Sequence, residues 1–422
     1  MIRKDILELK KRFKKEDCTF TKVSGCYVNS DKNKLVEFQE TFLNLPDDEL
    51  FKYLEIAKKA LSGKIGNNLL ELNFPVNDHM ENEKQQLLMM LAKSGLKEPS
   101  ILSHFYDSII DTYDYSGNYL ILTYHDVYDV MTKTSDNRKL DESEEVYEYI
   151  ICAICPVSLS KPGLGYFDQE RKIKSRIRDW VVEVPTLGFT YPGFIDRGTD
   201  VNTLMYYTKN TKEPHEELME HALGCFPKQT AANQLETFED LVKSTVSTNE
   251  DISNKIFADI QDNLNTMIED HKETYEDTDQ EGIILSKDKV KNLLIESGVS
   301  EEITVKIETT FEEHFGEEAP LAENLVDTKL IKKNAQKKKE KELLTQIEKL
   351  ESKLEQAEEP TEHVTANTQA PQENEQKYDV VLHVKPEKLH TIKTEHFNGQ
   401  RCIIVPIDDD EQATINGIEN LL

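Results

Sequence analysis

The chain has 422 residues, 37% of them hydrophobic and 31% charged, with a formal net charge of −29. That length accommodates two or three domains, and a charge content above the globular average implies that part of the chain is not packed. So large a negative charge opposes non-specific binding of nucleic acid or anionic membrane by the chain as a whole, though not by a local basic patch.

No run of 18 apolar residues occurs, which excludes an ordinary membrane-spanning helix. The opening MIRKDILELKKRFKKED has no apolar core for a secretory signal. Six cysteines in so long a chain do not make a disulfide scaffold. These features predict a cytoplasmic protein with reduced thiols and no membrane association.

In chain order, Ile2, Ile6, Leu9 and Phe13 recur at helical spacing, and the other faces carry Arg3, Lys4, Lys10, Lys11, Arg12, Lys14 and Lys15. Cys18–Phe42 reads as a hairpin broken at Asn29-Ser30-Asp31-Lys32. Pro46 followed by Asp47, Asp48 and Glu49 opens a helix that Gly63 closes. Further helices are predicted over Glu81–Lys93 and Ser100–Tyr113. Tyr119–Tyr124, Tyr147–Val157, Trp180–Val184 and Leu204–Thr208 have strand texture. The near-continuous apolarity of the first two predicts central strands covered on both faces.

From Gln229 to Asp327 the pattern is helical, with Ser286 before Lys287–Glu296 and Ser300 before Glu301–Phe315. Residues 250–328 hold 22 Asp and Glu against six Lys, the bulk of the chain's negative charge and most simply a solvated acidic face. Residues 329–341 reverse the sign with seven Lys and one Glu. Leu343, Ile347, Leu350, Leu354 and Ala357 follow in steps of four and three, a short seam that packs on its own chain or on a second copy as a homodimer. Residues 358–377 read as a flexible linker. Val380–Val384, Leu389–His396 and Arg401–Pro406 read as strands, the last two joined at Asn398-Gly399.

The expected fold class is therefore α+β. It comprises a mixed or antiparallel sheet body with helices (1–230), an acidic helical segment (231–328), a basic and amphipathic helix (329–357), the linker (358–377) and a small C-terminal β module (378–422).

Cys152-Ala153-Ile154-Cys155 matches C-x-x-C, but a strand there sends the two sulfurs to opposite faces, so core cysteines are predicted. His215-Glu216-Glu217-Leu218-Met219 lacks a zincin's second histidine, and no phosphate loop has the right spacing. Neither metal nor cofactor is predicted. Arg171–Trp180 reads as a helix with Ile173, Ile177 and Trp180 on one stripe, and Arg171, Lys172, Lys174, Arg176 and Arg178 elsewhere. Those cations bind an anion, a phosphate backbone or an acidic helix, or else pair with the chain's own carboxylates. Gly188–Arg197 reads as an aromatic loop ending in Asp196-Arg197, and Tyr191, Tyr206 and Tyr207 join the binding candidates. His125 and Asp126 close a central strand where an acid or base could sit, and with Asp196 and Arg197 they are the catalytic candidates.

Ile6–Phe13, Gly25–Asn29, Gly117–Leu122, Ile154–Val157, Asp196-Arg197 with Tyr206-Tyr207-Thr208, and Ser286-Lys287-Asp288 together resemble a family of Gram-positive bacterial cytosolic proteins. Its shared region is domain of unknown function 4317. The resemblance covers roughly residues 1–330 and the terminal β module, with 329–377 as an elaboration, and it implies no activity, cofactor or site.

The sequence thus predicts a non-enzymatic interaction or regulatory protein with a protein partner, because segregated charge blocks and a tether suit partner binding. The alternatives are a hydrolase using the His/Asp/Arg candidates, and an RNA- or ribosome-associated factor using Ile2–Lys15 and Arg171–Arg178.

Overall fold

A computed structural model describes residues 1–75, 82–133, 139–247, 249–274, 282–316, 318–357, 393–397, 400–404, 414–415 and 418–419. The chain forms two compact units, Met1–Ile347 and Glu348–Leu422.

The first unit opens with α1 (Arg3–Lys11), the hairpin β1 (Phe20–Val28) and β2 (Lys34–Thr41), α2 (Asp47–Lys59) and β3 (Leu69–Asn73). Next come α3 (Glu83–Lys93), α4 (Pro99–Thr112) and the long strands β4 (Asn118–Lys133) and β5 (Lys139–Leu159). Seven short strands follow: β6 (Leu164–Phe167), β7 (Lys172–Ser175), β8 (Trp180–Val182), β9 (Leu187–Tyr191), β10 (Gly193–Ile195), β11 (Gly198–Asp200) and β12 (Thr203–Thr208). The main sheet runs β2-β1-β4-β5-β9-β12-β3, with β8 added on β5. Every pairing in it is antiparallel, which settles the expected sheet as antiparallel within an α+β fold.

Both faces of this sheet are covered, as the unbroken apolar strands predict. Tyr119, Ile121, Ile150, Cys152 and Ile154 face α3 and α4, while Leu120, Leu122, Tyr124, Ile151, Ala153 and Cys155 face α1 and α2. The two C-x-x-C sulfurs therefore lie in different layers, and burial pushes the Cys155 thiol up to about 12 and the Cys152 thiol higher still. At Gly188 on β9 an added Cβ would stand 2.6 Å from the Cys152 carbonyl oxygen of β5, a distance only glycine allows, and 3.3 Å from Ala60 just after α2, so the helix end also packs closely there.

The acidic segment folds as α5 (Ala231–Val246), α6 (Glu250–Thr274), α7 (Lys287–Glu296) and α8 (Glu301–Phe315) around its own core, which includes Phe238, Phe257, Leu264, Leu294 and Phe311. Ser286 and Ser300 occupy the two N-cap positions in extended backbone. Helix α9 (Thr328–Ala357) carries the lysine run, and Lys338 pairs with Asp262 of α6 at 2.6 Å. Leu343 and Ile347 of its seam are exposed, as is the adjacent Leu344. The second unit contains the paired strands β13 (Lys393–Phe397) and β14 (Gln400–Ile404), and β15 (Thr414–Ile415) with β16 (Ile418–Glu419). The linker, the strand expected at 380–384 and Asn398-Gly399 lie outside the described residues.

Two local expectations are overturned. Residues 171–180 are not a helix: β6 and β7 form a hairpin with Tyr166 opposite Ile173, and Arg176–Asp179 leads out of it into β8. All ten residues are exposed, and an isolated helix that short with nothing to pack on is marginal, whereas the hairpin supplies cross-strand partners. Gly188–Arg197 is not a loop either: it is the end of β9, all of β10, and a two-residue turn at Asp196-Arg197 before β11.

Candidate functional site

His125 and Asp126 are neighbours on β4, so they project to opposite faces of the sheet. His125, 3% exposed, has Thr21 Oγ1 at 2.6 Å from Nδ1 and Glu148 Oε1 at 3.1 Å from Nε2. Asp126, 1% exposed, lies on the α1 side. Its carboxylate accepts from Thr19 Oγ1 and Tyr149 OH at 2.6 Å each, and from the Val127 amide at 2.9 Å. Asp196 is exposed on the turn between β10 and β11. The four catalytic candidates therefore do not meet at one point.

The structure does bring Asp126 and Arg197 to the same face. Arg12, at the end of α1, sits 3.6 Å from the Asp126 carboxylate, and its guanidinium lies 3.8 Å above the Tyr128 ring. Tyr128 donates to Glu8 Oε1 at 2.7 Å, and the same oxygen is 3.4 Å from Arg197 Nη1. Burial, then the nearby Glu8, pushes the Tyr128 phenol up to about 12, which keeps that donor protonated. Sequence reasoning picked out Arg197 and Asp126, and Arg12 only as one of the cations of the N-terminal helix; it missed Glu8 and Tyr128, which join them. The available signal was the four-residue repeat of polar side chains on α1, whose register to β4 is a tertiary fact.

Tyr191, Tyr206 and Tyr207 are 1–2% exposed and are not presented to solvent. Tyr191 OH donates to the Val201 carbonyl at 3.1 Å, and Tyr206 OH donates to the Pro214 carbonyl at 2.8 Å. Their hydroxyls hold loops onto the sheet. This corrects the placement of Tyr191 on a loop, since it ends the interior strand β9, while Tyr206 and Tyr207 lie on β12, the strand expected over Leu204–Thr208.

The cationic candidates lie on an arm, the β6–β7 hairpin and its two stems. Ser160 N bonds to the Asp179 carbonyl at 2.8 Å and closes the root. Arg178 donates to the Ser160 and Leu159 carbonyls at 2.6 and 3.3 Å, so it too serves the root. Lys174 pairs with Glu170 at 2.5 Å and covers the Phe167 ring. Arg171, Lys172 and Arg176 make no ion pair among the described residues. Beside them Leu164, Ile173 and Ile177 are 70–78% exposed, together with Tyr166 and Trp180. Sequence spacing identified the cations and the apolar residues; it did not show that both are open to solvent.

No group of three or more His, Cys, Asp or Glu among the described residues is arranged to hold a metal ion. No helix among them is long and apolar enough to cross a membrane.

No curated protein matches the chain. The family described as Domain of unknown function (DUF4317) matches residues 1–418, so the 329–377 stretch read as an elaboration falls within the match. Spanning nearly the whole chain, that match makes this protein a member of the DUF4317 family.

Proposed function

We propose that this is a non-enzymatic, cytoplasmic interaction protein that engages a protein partner through the β6–β8 arm. The observation that carries the reading is the exposure of Leu164, Tyr166, Ile173, Ile177 and Trp180 on one projecting hairpin and its stem. Large apolar side chains exposed together on one hairpin and its stem are uncommon on a monomer surface and mark interfaces. Aromatic and aliphatic anchors flanked by arginine are the usual centre of such an interface. Arg171, Lys172 and Arg176 at the edge favour an acidic partner. The polar atoms of His125 and Asp126 are committed inside the fold, which leaves the hydrolase reading without an assembled site.

The test compares the tagged full chain with Ile173→Ser/Ile177→Ser in capture from native cytosol at about 0.1 M salt, with a wash at about 1 M salt where screening is nearly complete. Trp180 is the chain's single tryptophan, so its fluorescence reports on the arm directly. The expected result is a stoichiometric protein retained by the native arm, lost from the double variant, and shifting Trp180 emission to shorter wavelength when re-added in purified form. Identical captured material from both chains overturns the proposal, as does nucleic acid that leaves at high salt.

A further inference from the structure

The cleft beneath α1 has a chemistry separate from the arm. Arg3 and Lys4, Leu7 and Glu8, and Lys11 and Arg12 are four residues apart, so they stack on one side of the helix. They close a cleft of about 870 Å³ whose remaining wall is Tyr128, Asp129, Asp17 and Arg197. A volume in this range suits a small molecule.

We propose that this cleft binds a small organic phosphate of nucleotide size, with Arg12 and Arg197 at its floor and Arg3, Lys4 and Lys11 at its rim.

Four observations support the assignment. In a chain of net charge −29, five cations line one cleft against three carboxylates, and Glu8, one of the three, is already engaged with Tyr128 and Arg197. Arg3, Lys4 and Lys11 make no ion pair among the described residues. The floor is rigid: Arg12 is fixed by Asp126 and the Tyr128 ring, yet its Nε is buried without a hydrogen-bond partner among the described residues. Finally, Asp196 and Arg197 both have left-handed backbone, φ 47° and 64°, in a two-residue hairpin turn. Such turns favour Asn-Gly, and an arginine is held there against the preference of its backbone. The turn brings the Arg197 guanidinium under α1.

The positive field continues across the helix. Arg3 also lines a second cleft with Lys10 and Lys64 and no carboxylate. Burial, then Lys59 and Lys58, holds the Lys10 ammonium below its ordinary value, so cations crowd here. Phosphate suits the floor better than a single carboxylate does, because arginine forks bind several phosphate oxygens at once. A small ligand fits better than a polymer because the Arg12 and Arg197 side chains are only 18% and 16% exposed, within reach of a group that enters the cleft.

The experiment is calorimetric titration of the full chain with tripolyphosphate and with ATP, at about 0.05 and 0.5 M salt. Saturable binding is expected, weaker at high salt. Lys4→Glu/Lys11→Glu, two exposed helix positions, should weaken it at least tenfold. Arg197→Gly should weaken it similarly while the far-UV spectrum stays native, since glycine accepts the turn's backbone. Ile173→Ser/Ile177→Ser should leave it unchanged, which separates this site from the arm. Failure to saturate at millimolar ligand, or equal affinity in Lys4→Glu/Lys11→Glu, overturns the proposal. So does single-stranded RNA that binds without being displaced by tripolyphosphate, because that would make the rim a polymer track.

Discussion

Asp126 accepts from Thr19, Tyr149 and the Val127 amide while facing Arg12, all at a site closed to water. Asparagine there would turn an NH2 group toward one of those donors and remove the charge opposite Arg12. Each fault is of the kind that costs 1–3 kcal/mol or more when buried. Asp126→Asn should therefore lower stability by about 3 kcal/mol, seen as a lower urea midpoint at unchanged slope. Asp196→Asn, exposed and in a left-handed conformation that asparagine tolerates, should stay within about 0.5 kcal/mol of the parent. Equal midpoints for the two variants would mean that the buried carboxylate does no structural work. The sequence offered these acids as equals because residue type and a neighbouring base are visible there, while burial and facing partners are not.

At the scale of elements, the arm and the sheet differ in how much their side chains bury. Residues 161–184 are almost all exposed, so removing them forfeits little apolar burial. The root is already closed by Ser160 and Asp179. Replacing 162–177 by Asn-Gly should change the unfolding free energy by no more than about 1 kcal/mol while abolishing partner capture. A loss above about 2 kcal/mol would show that the arm belongs to the core.

The same contrast explains what could be read in advance. Helices α2, α7 and α8 were legible because first-turn acids or serine caps agree with an apolar stripe that the body buries. The arm was misread because Ile173, Ile177 and Trp180 satisfy helical spacing while facing solvent, and periodicity carries structural information only where a face is buried. The cleft under α1 was not legible, since residues 3–12, 128 and 197 meet through strand order. Its local signs are the cations of the N-terminal helix and Asp196-Arg197 standing where a hairpin turn favours Asn-Gly.

Across the whole first unit, aromatic and thiol groups fill both sides of the sheet, and this sets its alkaline limit. Burial holds the phenols of Tyr124, Tyr147, Tyr149 and Tyr206 well above their ordinary value of 10. It pushes Tyr113 up to about 12. The Cys18 and Cys26 thiols rise from 9.0 to about 11 and about 12. In the folded chain these groups keep their protons, whereas the unfolded chain releases them from about pH 9 for the thiols and pH 10 for the phenols. The unfolded state then binds fewer protons, so stability is fully present below about pH 9 and falls as pH rises through the folded values. Each such group contributes up to about 1.4 kcal/mol per pH unit over its own window, so several acting together collapse the fold cooperatively. Urea midpoints measured from pH 7 to 11.5 should be flat to about 9 and then drop with increasing steepness. Absorbance at 295 nm should show the tyrosinate of the interior rings appearing in one step with the loss of far-UV ellipticity. If those rings instead ionised gradually around pH 10 with ellipticity intact, water would have to reach both faces of the sheet, and the two-layered core described above would be wrong.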